Sequence, residues 1–154
     1  MSAFTLELMS EHGLAIAVLL ALWVQQQVIF AIKVTLARKK VGIEAPTLYP
    51  RDSEFKAKNL TSAQVDEYMC AQRVHQNNVE FLTAFFPVML IAMVANPTSN
   101  AYAGAVIWLG RMVTALGYWS GANTRVFGAW FHFSELYTGY LAATFVYELI
   151  TTTN

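Results

Sequence analysis

Arg73, Asn77 and Glu80 recur at i, i+4 and i+7, so on a helix they line one face, with Gln76 beside them. The surrounding residues are apolar enough to place that helix in a membrane. An ionised side chain facing hydrocarbon costs at least about 2.5 to 3.5 kcal/mol on insertion scales, so such a stripe must turn toward a bundle interior or a neighbouring subunit. Two readings stay open from these residues alone. In one, Arg73 pairs with Glu80 and Asn77 bonds across helices as packing. In the other, the same charged and amide groups hold a ligand.

Arg111, Thr114 and Tyr118 fall at i, i+3 and i+7, and Arg125 follows seven residues later, so two arginines bracket a tyrosine. Arg111 is deep in its segment, where the structural duty expected of it is to neutralise Glu80 or Glu135. Arg125 is expected at an interface, where an arginine needs no special reason. Arg38, Lys39 and Lys40 close the first apolar segment; anchoring accounts for them, and cations there also suit a helix C-terminus. A ligand site is favoured by convergence, because cations at the ends of three segments lie at one membrane face. That arrangement suits an anionic ligand whose carboxylates are held by arginine forks.

Other chemistries find little support. His12, His75 and His132 lie on different segments without an H-E-x-x-H pattern, and Cys70 is the single cysteine, so neither a metal site nor an intramolecular disulfide is expected. No serine elbow, phosphate loop or dinucleotide glycine pattern occurs. The formal net charge is zero and the pI about 6.8, which gives no basic field for nucleic acid.

The elements that must position these residues are long apolar helices. Of 154 residues, 56% are hydrophobic and only 13% charged, with mean hydropathy +0.40; soluble domains run nearer a quarter charged. We expect an all-α, integral-membrane bundle of four transmembrane helices, one domain over residues 1–154, with spans near 13–36, 68–95, 102–120 and 126–150. Gln25, Gln26, Gln27 and Lys33 interrupt the first span, and Lys33 can snorkel to the interface. Six of the ten Lys and Arg residues lie between Arg38 and Lys58, and Arg125 follows span three, so the positive-inside bias puts both loops in the cytoplasm. Met1 to Gly13 carries Glu7 and Glu11 but no cation, so the first helix reads as a retained anchor, not a cleaved signal. Pro46 and Pro50 bracket an extended segment, and Ser62 to Glu67 reads as a capped entry into the second helix. The aromatic residues of span four, Trp130, Phe131, Tyr137, Tyr140 and Tyr147, are expected to face lipid or to pack.

The stretch Arg73-Val74-His75-Gln76-Asn77-Asn78-Val79-Glu80 resembles the R-x-x-x-N-x-x-E signature of the membrane-associated proteins in eicosanoid and glutathione metabolism. The resemblance continues through Ala37-Arg38-Lys39-Lys40, Glu44-Ala45-Pro46-Thr47-Leu48-Tyr49, Gly110-Arg111 and Gly117-Tyr118, and its closest branch looks like the type 3 microsomal glutathione S-transferases. It implies a homotrimer of four-helix protomers in the bilayer, with sites between subunits near the cytoplasmic face and bent glutathione as co-substrate. By position it makes Arg73, His75, Asn77, Glu80 and Tyr118 glutathione-binding, and Arg125 and Arg38 catalytic, with Arg125 beside the thiol. Phe81 and Thr114 stand where the family often has tyrosine. The implied activity is thiolate attack on a lipophilic electrophile or reduction of a lipid hydroperoxide. The alternatives are a non-catalytic lipid-binding scaffold, which lacks the Arg125 match, and a prostaglandin-E-forming isomerase of the same family. A third alternative, an ion-conducting subunit, is disfavoured because the polar residues cluster toward one face. The implied membrane is the endoplasmic reticulum in a eukaryote or the inner membrane in a bacterium, with no retention signal in Thr151-Thr152-Thr153-Asn154.

Overall fold

The computed structural model describes residues 9–152, so Glu7 and the final Thr153-Asn154 lie outside the described residues. Helix α1 runs Ser10–Val41 and contains a π-helical stretch at Gln25–Phe30. A short helix α2 covers Asp52–Ala57, α3 covers Ser62–Ala95, and α4 covers Pro97–Ser120. A 3-10 turn at Ala122–Gly128 leads into α5, Phe131–Thr152. There is no strand among the described residues.

The ends of these helices follow from local chemistry. Gly42 stops α1 in the left-handed region at φ 66°, which glycine adopts without a Cβ penalty, and returns its N–H to the Arg38 carbonyl. Thr61 caps α3 reciprocally. Its Oγ1 accepts from the Gln64 N–H at 3.3 Å, while the Gln64 Oε1 accepts from the Thr61 N–H at 2.9 Å. The capped entry expected at Ser62 is therefore where α3 begins. At the other end Asn96 breaks the chain and Pro97 opens α4 at once, since proline's fixed φ suits the first helical position.

Several helix bounds differ from the expected spans, both ends of α1 and the starts of α3, α4 and α5 among them. The third helix starts at Pro97, five residues before the expected 102; there the Asn100 N–H donates to the Asn96 carbonyl at 2.9 Å, and the buried Asn100 side chain donates from Nδ2 to the Met89 carbonyl at 3.1 Å. Residues 126–130, expected at the start of the fourth span, belong instead to the 3-10 turn and the link into α5.

Helices α1 and α3 are each long and apolar enough to cross a membrane. At 34 residues α3 is about 50 Å long, more than the roughly 30 Å of hydrocarbon, so its first turns project beyond it. The connection from α1 packs there. Phe55 meets Tyr68 edge-on at 6.3 Å, the Tyr68 hydroxyl donates to the Leu48 carbonyl at 2.8 Å, and Lys40 pairs with Glu67.

Leu22, Leu82, Phe85, Met89, Ile107 and Phe131 form the core where the four long helices meet. Outside it, Leu20, Ile32, Leu90, Leu109, Tyr140 and Ile150 are exposed. Of the aromatic residues expected to face lipid or to pack, Trp130, Tyr137, Tyr140 and Tyr147 are exposed and Phe131 packs in the core. Truncating the fully buried Leu22 to alanine should cost about 2 to 5 kcal/mol from lost contacts and the cavity left behind. Thermal or denaturant unfolding of the detergent-solubilised protein would read this as a clear loss of stability, while Leu20→Ala on the exposed face changes little.

Candidate functional site

Helices α3 and α4, the 3-10 turn and the start of α5 enclose a cavity of about 400 Å³. Asn77 and Glu80 enter its wall from α3, Arg111 and Tyr118 from α4, Arg125 from the 3-10 turn, and Glu135 from α5. Phe81 and Thr114, the two departures from the resembling family, line it as well, so both bear directly on its shape and polarity.

The polar stripe of α3 is partly paired and partly open. Gln76 Nε2 donates to Glu80 Oε1 at 3.1 Å, and Arg73 Nη1 lies 3.8 Å from the same oxygen. The Arg73 and Glu80 side chains remain 48% and 52% exposed. Asn77 faces the cavity, and the bond across helices that packing required is made by its neighbour. Asn78 is fully buried and donates from Nδ2 to Gln26 Oε1 at 2.8 Å.

Arg111 makes no close ion pair with Glu80 or Glu135 among the described residues, although Glu135, one of the two carboxylates expected to neutralise it, acts on it through space. Its Nε donates to Asn78 Oδ1 at 2.6 Å, and its guanidinium sits 4.9 Å from the Phe81 ring and 5.3 Å from the Phe131 ring. Glu135 is taken by His132, whose Nδ1 lies 2.6 Å from its Oε2. The quadrupole of the two rings and the amide oxygen add to the field of Glu135.

Arg125 is held by close backbone packing. A Cβ on Gly117 would come within 2.6 Å of the Thr124 carbonyl oxygen and 2.8 Å of the Arg125 Cα, so only glycine lets the 3-10 turn lie flat on α4. Gly128 presses similarly on the Thr114 backbone. Thr124 fastens the turn, donating from Oγ1 to the Gly117 carbonyl at 2.7 Å. The result is an exposed Arg125 whose guanidinium carbon stands 5.5 Å from the Tyr118 ring.

The protomer thus gathers Asn77, Glu80, Tyr118 and Arg125 around one cavity, with Arg73 tied to it through Glu80. It does not bring Arg38 or His75 there. Arg38 donates from Nη2 to the Thr47 carbonyl at 2.7 Å, with Nη1 buried and unpartnered among the described residues. His75 is half-buried, and its carbonyl accepts from Gln26 Nε2 at 3.4 Å.

A family model described as the MAPEG family, for membrane-associated proteins in eicosanoid and glutathione metabolism, matches residues 14–146. The chain belongs to the MAPEG family. It is also similar to an uncharacterized protein of Synechocystis sp., with 30% identity over 113 residues that cover 73% of this chain and 72% of that protein. MAPEG proteins are membrane proteins, which accounts for the apolar outer surface and for the two helices long enough to span.

Sequence reasoning missed Gln26 and Asn78 as supports of the cavity wall, behind Arg111. The glutamine run in an otherwise apolar span was the available signal, since an amide there needs an internal partner. Replacing Gly117 by valine should unseat the 3-10 turn, and cleavage by trypsin after Arg125 should become at least several-fold faster than in the wild type. Unchanged cleavage would refute the role given to Gly117.

Proposed function

We propose that this MAPEG chain is a membrane-bound glutathione transferase or glutathione-dependent peroxidase that works as a homotrimer of four-helix protomers. The observation that carries the reading is Arg125, an arginine with no carboxylate partner among the described residues, standing over Tyr118 at the edge of a cavity that also presents Asn77 and Glu80. Arg73, Asn77 and Glu80 are suited to the charged and amide groups of a peptide, and Tyr118 to contact beside the thiol. The half-exposed Arg73 and Glu80 on an apolar helix support a covering subunit. Arg38 and His75, which lie away from this cavity, would complete the site of a neighbouring protomer.

The chemistry is stabilisation of an anion. A thiol with pKa about 8.5 is mostly protonated at neutral pH, and the thiolate is the nucleophile. A guanidinium beside the sulfur favours the anion and lowers that pKa; a shift of one to two units corresponds to about 1.4 to 2.7 kcal/mol. Arg125 stays protonated throughout and is a stabiliser, not a base. With an epoxide or conjugated electrophile, the thiolate forms the C–S bond and the displaced electron pair takes a proton. With a lipid hydroperoxide, it attacks the terminal oxygen and the O–O bond breaks. The alkoxide then takes a proton to give the alcohol, and a second glutathione converts the sulfenic acid to disulfide and water. The lipophilic substrate enters from the bilayer, and the site lies toward the cytoplasmic face where the cations collect.

Ultraviolet difference absorbance of the detergent-purified protein titrated with glutathione tests this. A saturable thiolate band is expected at neutral pH, with a midpoint about one to two units below that of the free thiol. In Arg125→Ala the midpoint should move back up, so that the band is lost at neutral pH and returns only in alkali. No band and no binding in the wild type would select the non-catalytic lipid-binding scaffold instead.

A further inference from the structure

The cavity wall holds two carboxylates, Glu80 and Glu135, and two arginines, Arg111 and Arg125. Glu80 accepts from Gln76 at 3.1 Å and has Arg73 3.8 Å away, while Glu135 lies 2.6 Å from His132. Neither Arg111 nor Arg125, the two arginines of the same wall, makes an ion pair with these carboxylates among the described residues, although Glu135 acts on Arg111 through space. The thiolate mechanism uses only Arg125. Arg111 comes seven residues before Tyr118 on α4, about 10 Å farther along the helix.

Arg111 is only 6% exposed and still lines the cavity. Its Nε is committed to Asn78 at 2.6 Å, whereas Nη1 and Nη2 have no hydrogen bond among the described residues. Asn78 is itself held by Gln26 at 2.8 Å, so the guanidinium plane is fixed from behind. The rings of Phe81 and Phe131 cover it, and Val126 and Ala129 give the same cavity an apolar wall. A fixed, poorly hydrated guanidinium with two free donor nitrogens is built to take a planar oxyanion, and low local dielectric strengthens that attraction.

We infer that Arg111 forms a carboxylate subsite at the apolar end of the cavity, taking the acid head of a long-chain lipid that carries the electrophilic or peroxidic group. Asn78 and Gln26 are its positioning residues. The inference rests on the glutathione reading in assigning this lipid as second substrate, but acid binding itself needs no glutathione. A carboxylate of glutathione would offer the same head group, so the two sources must be told apart.

The test uses the full chain in phosphatidylcholine nanodiscs, with fluorescent parinaric acid and its methyl ester as probes read by energy transfer from tryptophan. Arg111→Gln should weaken the acid about tenfold or more and the ester less than about twofold. Arg111→Lys and Asn78→Ala, which keep a cation at this depth, should weaken the acid selectively but less. If Arg111→Gln does not fold, these two carry the test, and an unchanged acid affinity in both overturns the subsite. Equal loss of acid and ester also overturns it. Equilibrium dialysis of glutathione should show a change below about twofold in Arg111→Gln. A tenfold loss there with acid binding intact would give the cation to the peptide and overturn the inference. A missing thiolate band in the wild type alongside an intact acid preference would instead remove the transferase reading and leave the subsite standing.

Discussion

Hydrocarbon offers no hydrogen bonds, so a buried cation in this chain must be satisfied by the protein itself. Arg111 is that cation, and the arrangement of all four long helices converges on it. Gln26 from α1 accepts from Asn78 of α3, Asn78 accepts from Arg111 of α4, and Phe131 of α5 closes over the guanidinium. The magnitudes are comparable. A hydrogen bond to a charged group contributes about 1.5 to 3 kcal/mol and a desolvated cation–π contact about 2 or more, against an insertion cost of at least about 2.5 to 3.5. Stability alone would favour an apolar residue here. What the arrangement adds is register, because sliding any one helix by a turn breaks the chain of bonds.

The π-helical stretch at Gln25–Phe30 belongs to the same constraint. An ordinary α-helix rotates about 100° per residue, so adjacent glutamines diverge. Here Gln25 and Gln26 are both buried: Gln25 donates to the Trp108 carbonyl at 2.9 Å, and Gln26 reaches Asn78 and the His75 carbonyl. The wider turn lets one helix serve two partners, α4 and α3, and single π turns of this kind recur at functional sites. At the other side of the cavity the glycine contacts of α4 do comparable work for the backbone. They set the 3-10 turn close enough to α4 that Arg125 and Tyr118 meet.

Much of this was legible in the sequence where a signal is local. The Arg73, Asn77, Glu80 spacing identified one helical face; the capped entry at Ser62 and the Asn96-Pro97 break are where α3 starts and ends. Long-range choices were not legible. Spacing says which residues share a face but not which face turns inward, and one position separates Asn77 at the cavity from Asn78 in the core. Arg111 was assigned a carboxylate partner because charge pairing is the default for a buried arginine, and while Glu135 acts on it through space, the direct contacts are an amide and two rings that spacing does not reveal. The early start of α4 was hidden because Thr98, Ser99 and Asn100 read as loop, whereas Pro97 at the first helical position and Asn100's long-range bond to Met89 favour helix there. Arg38 and His75 carry no local signal that the fold would hold them away from this cavity.

Helix α3 therefore carries polar groups on two faces, which is a demanding arrangement for a membrane span. Asn78 faces inward and is fully satisfied, whereas Arg73 and Glu80 face outward, half-exposed and 3.8 Å apart. In water such a pair would contribute about 0 to 1 kcal/mol and need nothing more. Against hydrocarbon the same exposure is costly, and the pair's own attraction only partly offsets the loss of hydration. A neighbouring polar surface removes that cost, as does a charged ligand. The proposed trimer with glutathione between its subunits provides both at once, so assembly and ligand binding draw on the same unsatisfied charges. In that arrangement the outward stripe is left incompletely paired by the protomer because its partners come from outside it.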